Sequence, residues 1–445
     1  MNTKDTTITG YFRTDRGNIT FYAENFNFTF MNADMKEEIV IESDENGYIW
    51  GKTYEGKAIA IYTTKDIKIK STCSIKTTNY IISKYIGMLR ENMLSFNGIR
   101  FVNGAVRTIH PCNALHEDYE KSVERTLVYH IENDSKSYLI NIENKTISWN
   151  FCSEITQEMS IEEGNSLSNG NALLDILFDS LQSYKAFYDW YGHVCDFCSF
   201  LTFRNNISFE KIFLLKERGN NKNDILAECY VRSQDNLPMR KFTEVIPIAY
   251  IDDNMFHEII MNILKQDKKH KGLPTFIIPK DDRDARSMDV AKIRNICSAL
   301  EMELDLGGVQ LESDLNMMEL IEIVKNDVKE HRDGANPLSS KAYDYIFGNI
   351  SHWNNPLAER VYSAWKKHRD KIQPLLTAYG IAIDQAKIGM FVKARNNITH
   401  NGFTGLDEEV AKTAFVLMGL VYSCTLTRIR MPEELIKAVM ERNFF

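Results

Sequence analysis

Proline is scarce in this chain, 9 in 445 residues, and no repeat or low-complexity block interrupts it. Apolar residues make up 44% and charged residues 26%. That balance excludes a disordered or fibrous chain, and the length suits two or three domains. A positive net charge is also lacking: the formal value is −8. No overall electrostatic pull toward nucleic acid or anionic lipid acts on the molecule, so any nucleic-acid site must be a local basic patch. The longest nearly apolar stretch, Ala414 to Leu426, is broken by Ser423 and Thr425 and is short for a membrane span. Met1 to Gly10 is polar and lacks the apolar core of a signal peptide. A cytoplasmic protein with no membrane partner is therefore expected. The eight cysteines are mostly scattered singly and read as reduced thiols. No Gly-x4-Gly-Lys-Ser/Thr loop, Gly-x-Gly-x2-Gly fingerprint or Gly-x-Ser-x-Gly elbow occurs. Nucleotide-cofactor and serine-hydrolase chemistry are unsupported, and no cofactor is expected.

What is present first is alternation. GNITFYAENFNFTF (Gly17 to Phe30) places aromatic or β-branched residues at every second position, and GYIWGKTYEGKAIAIYTT (Gly47 to Thr64) holds two such runs around Glu55-Gly56. Similar runs recur to about residue 250, which predicts an antiparallel sandwich or barrel-like region. Within it, NALLDILFDSLQSYKAFYDWYGHVCDF has apolar residues three and four apart, so a helical segment is expected near 171–198. After Ile251 the helical period dominates. Candidate helices are Met255 to Gln266, Ser287 to Leu304, Met317 to Lys329, Ser340 to Asn349, Pro356 to Lys371, Ile372 to Thr399, Glu408 to Arg430 and Pro432 to Arg442. The expected organisation is α+β: a β-rich region over 1–250, a linker and helix over 251–285, and an all-α bundle over 286–445. Polar stretches at Gln266 to Gly272 and Pro279 to Arg286 serve as linkers.

Charge is uneven. Between Arg360 and Arg395 stand eight basic residues and two acids, a local excess of +6 in a chain of net −8. The stretch is either a solvated helix face or a phosphate-attracting groove. Lys387 and Lys393 are its RNA-contact candidates nearest to the sharpest local signal, KARNNITHNG (Lys393 to Gly402). There Asn396 and His400 stand i and i+4, on one helix face. Arg395 adjoins that face and offers a permanent, planar cation suited to phosphate. His400 is the group able to exchange a proton near neutral pH. Together these three residues suit metal-free RNA cleavage, with a base for the 2′-hydroxyl and a cation for the charged phosphorus centre. The bland alternative is that His400-Asn401-Gly402 merely ends a helix. A second constellation, His193-x-Cys195-x2-Cys198, has zinc-ligand spacing but no second tight pair. Small thiols packed in a helix are its alternative reading, and no metal is expected. The aromatics Tyr11, Phe12, Phe21, Tyr22, Phe26, Phe28, Trp50, Tyr54 and Tyr62 form either a ligand platform or, at alternating spacing, half core and half surface.

The Arg395-Asn396-Asn397-Ile398-Thr399-His400 sequence resembles the Arg-x4-His motif of HEPN domains. A helix carrying IGMFVKA leads into it and the apolar EVAKTAFVLMGLVYSCTL follows it. The upstream SALEMEL (Ser298 to Leu304) resembles an acidic helix of the Apea-like HEPN branch, in which the HEPN domain lies behind a β-rich N-terminal region. The resemblance is carried by the last ~160 residues, about one domain. It implies a helical bundle, a homodimer that joins two motifs, and a metal-independent endoribonuclease of bacterial defence against phage by abortive infection. Carried over, Arg395, Asn396 and His400 are the catalytic residues and Glu301 is an auxiliary acid. Transfer-RNA anticodon loops are natural targets because their bases and 2′-hydroxyls are accessible. The β-rich region is then expected to regulate the nuclease, with a phage protein as candidate trigger. The competing expectations are a non-catalytic HEPN dimer and a β-sandwich module that recognises RNA, carbohydrate or a protein.

Overall fold

The computed structural model describes residues 7–33, 37–88, 95–112, 115–118, 128–131, 134–142, 145–160, 164–218, 223–232, 239–265, 272–308, 315–334, 337–351, 356–401 and 406–443. At 115–118, 128–131, 156–160, 164–169, 315, 333, 349, 351, 398–401 and 443 it describes the backbone alone. The chain divides into two compact units, Met1–Lys271 and Gly272–Phe445. The first is β-rich and the second helical, the α+β architecture that the two periodicities predict.

The first unit opens with β1 (Ile8–Thr14), β2 (Gly17–Glu24), β3 (Asn27–Met31), β4 (Ile39–Ile41) and β5 (Tyr48–Thr53). There follow β6 (Lys57–Tyr62), β7 (Ile67–Ile69), β8 (Thr72–Lys76), β9 (Asn79–Ile86) and β10 (Ser95–Val102). After the short helix α1 (Ala105–Ile109) come β11 (Leu115–Asp118), β12 (Val128–Ile131), β13 (Lys136–Ile142), β14 (Lys145–Ser160) and β15 (Gly164–Ser183). The unit ends with α2 (Tyr184–Thr202), β16 (Lys211–Glu217), β17 (Asn223–Val231) and α3 (Asp253–Leu264). Thirteen of these strands join in one sheet, in the order β13-β14-β15-β10-β16-β17-β9-β6-β5-β1-β2-β3-β8, while β4–β7 and β11–β12 pair separately.

Alternation does what the sequence predicts in β1 to β3. Phe12, Ile19, Phe21, Phe28 and Phe30 are buried, and the residues between them face out. Each such ring contributes roughly 1.5–3 kcal/mol on leaving water. The part of the sheet from β9 to β3 curls, because Phe28 of β3 meets Tyr80 of β9 with ring centroids 5.4 Å apart. The other part packs against helices. Trp149 and Phe151 of β14 meet Phe197 of α2, and Tyr138 of β13 stacks on Phe256 of α3 at 3.9 Å. Helix α3 is therefore a component of the β-rich unit. The helix expected near 171–198 begins later, at Tyr184, and Asn171 to Ser183 is strand. Ala172, Leu173, Leu174 and Ile176 are all buried. A strand covered on both faces loses its period of two and imitates a helical stripe.

The second unit contains α4 (Asp282–Ala285), α5 (Val290–Leu306), α6 (Leu315–Asp333), α7 (Ser340–Ser351), α8 (Leu357–His368) and α9 (Gln373–Tyr379). It continues with α10 (Gln385–Asn401), α11 (Glu408–Arg428) and α12 (Glu433–Asn443). The sequence suggests one helix from Ile372 to Thr399, but there are two. Gly380, at φ +59°, ends α9 in the left-handed conformation and donates its N–H back to the Leu376 and Thr377 carbonyls. Helix α11, expected over Glu408 to Arg430, has 21 residues and is long and apolar enough to cross a membrane. Yet 72% of that apolar window is buried within the fold, so it acts as the core helix of this unit. It packs against α5, α8, α9, α10 and α12.

Candidate active site

Helix α10 carries the Arg-x4-His sequence. Asp384 precedes the helix, and its carboxylate accepts from the Lys387 N–H at 2.9 Å, filling an otherwise orphaned first-turn donor. Ile388 and Phe391 are fully buried and anchor the helix. One turn beyond Phe391, Arg395 is only partly covered. Its Nη1 donates to the Asn396 Oδ1 at 3.1 Å, and its Nη2 lies 3.4 Å from the Glu301 Oε1 of α5. The Arg395 and Glu301 side chains are 32% and 42% exposed. A pair so open to water orients the guanidinium and adds little stability. Asn396 is exposed. Position 400 lies in the last turn of α10, on the face of position 396. The side chain of His400 is outside the described residues, as is Gly402 beyond it.

The fold thus brings together Arg395, Asn396 and Glu301 from two helices. Cys297, one turn before Glu301, is buried beneath them. Its thiol is pushed up to about 12 by burial, with Glu301 adding to the rise and Arg395 opposing it. It stays a neutral thiol at physiological pH.

Part of the +6 stretch is paired with acids that arrive from elsewhere. Arg360 pairs with Asp305 at 2.6 Å, Lys371 with Glu433 at 3.0 Å and Lys387 with Glu409 at 2.9 Å. Lys387, read from sequence as an RNA contact, is therefore held by an ion pair, because a charge count along the chain omits the acids on α5, α11 and α12. Lys393 is exposed.

Two internal features carried no sequence signal. Glu303, two residues after Glu301, turns the other way, into the core. There it receives Arg428 of α11 through bonds of 2.7 and 3.0 Å. Arg428 also donates to the Gly272 carbonyl at 3.3 Å. His368 at the end of α8 is buried. Its Nδ1 shares a hydrogen with the Ser423 hydroxyl at 2.9 Å, and its Nε2 lies 3.8 Å from the Cys424 sulfur. Burial and then the nearby Lys371 and Lys367 push this imidazole down to about 4. It is neutral at physiological pH and walled off from any substrate.

In the β-rich unit, His193, Cys195 and Cys198 all lie on α2. Cys198 is fully buried, Cys195 bonds to Tyr191, and the His193 ring stands 5.5 Å from Trp190. Burial raises both thiols, Cys195 to about 12 and Cys198 well above its usual value. Among the described residues no group of three His, Cys, Asp or Glu side chains converges on one point. Comparison of the chain with protein-family models, curated proteins and solved structures finds no match.

Proposed function

We propose that this chain is a HEPN-type, metal-independent endoribonuclease that acts in abortive-infection defence against phage. The observation that supports this reading best is the meeting of Glu301 with Arg395. The two are 94 residues apart in sequence, and their side chains approach to 3.4 Å beside Asn396 on the helix whose last turn carries position 400. In the proposed reaction, His400 takes the proton of a ribose 2′-hydroxyl. The 2′-oxygen attacks the adjacent phosphorus, the bond from phosphorus to the 5′-oxygen breaks, and the leaving 5′-oxygen takes a proton from the His400 imidazolium or from water. The products are a 2′,3′-cyclic phosphate and a 5′-hydroxyl. Arg395 neutralises the charge that builds on the phosphoryl oxygens. Glu301 holds the guanidinium in place, and Asn396 accepts from the other arm of its fork. A homodimer that joins two such motifs, and control by the β-rich unit, complete the proposal. Moving the motifs apart by a few ångströms ends catalysis, since proximity supplies much of the rate.

The test is expression of wild type and His400→Ala in bacteria, with and without phage, followed by gels of total and transfer RNA cut in EDTA. Fragments with cyclic-phosphate ends in the wild type alone are the expected result. Intact RNA in both strains, with phage protection retained in both, rejects the proposal.

A further inference from the structure

The curled part of the first sheet has an inner face of phenylalanine and isoleucine and an outer face of a different kind. Where β1, β2 and the end of β5 place aromatics outward, all three are tyrosines: Tyr11, Tyr22 and Tyr54. Thr9 pairs with Tyr22 across β1–β2, and the Tyr54 N–H bonds to the Thr9 carbonyl on the other side at 3.0 Å. Tyr22 and Tyr54 therefore flank Thr9 in one row across three strands. Tyr11, two residues on, stands over the gap with its ring 6.0 Å from that of Tyr54. Tyr54 is 61% and Tyr22 40% exposed, and Met31 in the next row is 37% exposed. The same face carries Thr9, Thr20, Thr29 and Ser74 as hydroxyl donors and acceptors. Its charges are Arg13, Lys52 and Lys76 against Glu24. Lys52 pairs in register with Tyr11 itself. Among the described residues, none of these three cations has an acid within ion-pair distance.

Open rings, free cations and hydroxyls on a sheet surface are what a single-stranded nucleic acid needs. Bases stack on the rings, cations take the phosphates, and hydroxyls meet base edges and 2′-hydroxyls. A carbohydrate platform would share the rings but gains nothing from unpaired cations. We infer that the outer face of β1, β2 and β5 binds single-stranded RNA, with bases stacked on Tyr11, Tyr22 and Tyr54 and phosphates drawn by Arg13 and Lys52. This inference deepens the ribonuclease reading by adding a place where the RNA is gripped without being cut.

The experiment uses the full chain carrying His400→Ala, so that RNA survives, and a fluorescein-labelled oligouridine followed by anisotropy. Tyr22→Ala with Tyr54→Ala is expected to weaken binding about tenfold or more. Tyr22→Phe with Tyr54→Phe, which keeps the stacking faces, retains most of it. Arg13→Gln with Lys52→Gln lowers the slope of log affinity against log salt by about 0.7 per charge removed. The inference is overturned if the parent shows no saturable binding, or if the alanine pair binds within twofold of it. It is also overturned if the tyrosines govern retardation in polysaccharide gels but not oligouridine binding. The two readings fail separately. Cleavage by wild type with tyrosine-independent binding removes the platform alone, and tyrosine-dependent binding without cleavage removes the nuclease alone.

Discussion

Removing one partner of the Glu303–Arg428 pair is a severe perturbation whose size follows from its burial. The Glu303 side chain is 1% exposed and that of Arg428 16%, with two bonds between them at 2.7 and 3.0 Å. Glu303→Ala removes the carboxylate that holds the Arg428 guanidinium inside the helical unit. Breaking a buried ion pair by removing one partner costs about 3–5 kcal/mol. That corresponds to a factor of about a hundred to a few thousand in the opening equilibrium. Hydrogen exchange on the full-length protein reads it directly. Amides of α5 and α11 are expected to exchange faster by that factor, while those of β1 to β3 keep the parent rate. Replacing both partners by methionine removes the charges together and is expected to restore most of the protection. Exchange in α5 within threefold of the parent after Glu303→Ala, or a double variant worse than the single, refutes the reasoning.

Arg395→Ala is expected to abolish RNA cleavage, whereas Glu301→Ala lowers it no more than about fivefold, since a pair open to water contributes ~1 kcal/mol or less. Single-turnover cleavage assays separate the two. A methyl added at Gly419 would lie 2.1 Å from the Leu375 Cδ1. Gly419→Ala is therefore expected to cost about 1–3 kcal/mol through overpacking, measured by denaturant titration. His368 is held down to about 4 in the folded state, below its unfolded value. The unfolded chain therefore binds a proton first as pH falls, so the stability associated with this group is complete above about 6.5 and is lost progressively down to about 4. Between pH 6.5 and 5 the loss is about 2 kcal/mol. His368→Asn removes that slope, which denaturation at the two pH values checks.

Much of the candidate site was readable as chain order. Arg395 and Asn396 fall on one helix because IGMFVKA and its neighbours carry a helical period, and Asp384 supplies the cap that starts it. Glu301 was singled out only by resemblance, as an auxiliary acid, and its pairing with Arg395 came from the structure. No local pattern distinguishes Glu301 from Glu303, yet one faces the motif and the other the core. Two residues along a helix turn a side chain by about 200°, and what each then meets depends on α10 and α11.

The sequence by itself determined the order of a β-rich and a helical unit, the inward phenylalanines and outward tyrosines of β1 to β3, and the position of the Arg-x4-His sequence. Each of these is written in residues within a few positions of one another. The tertiary structure alone decided that Asn171 to Ser183 is strand, that four of the eight basic residues of the +6 stretch pair with Asp305, Glu433, Glu409 and Glu301, and that His368 is sealed in the core. Those outcomes depend on burial from both sides and on partners tens of residues away. Periodicity and local charge counts contain neither kind of information.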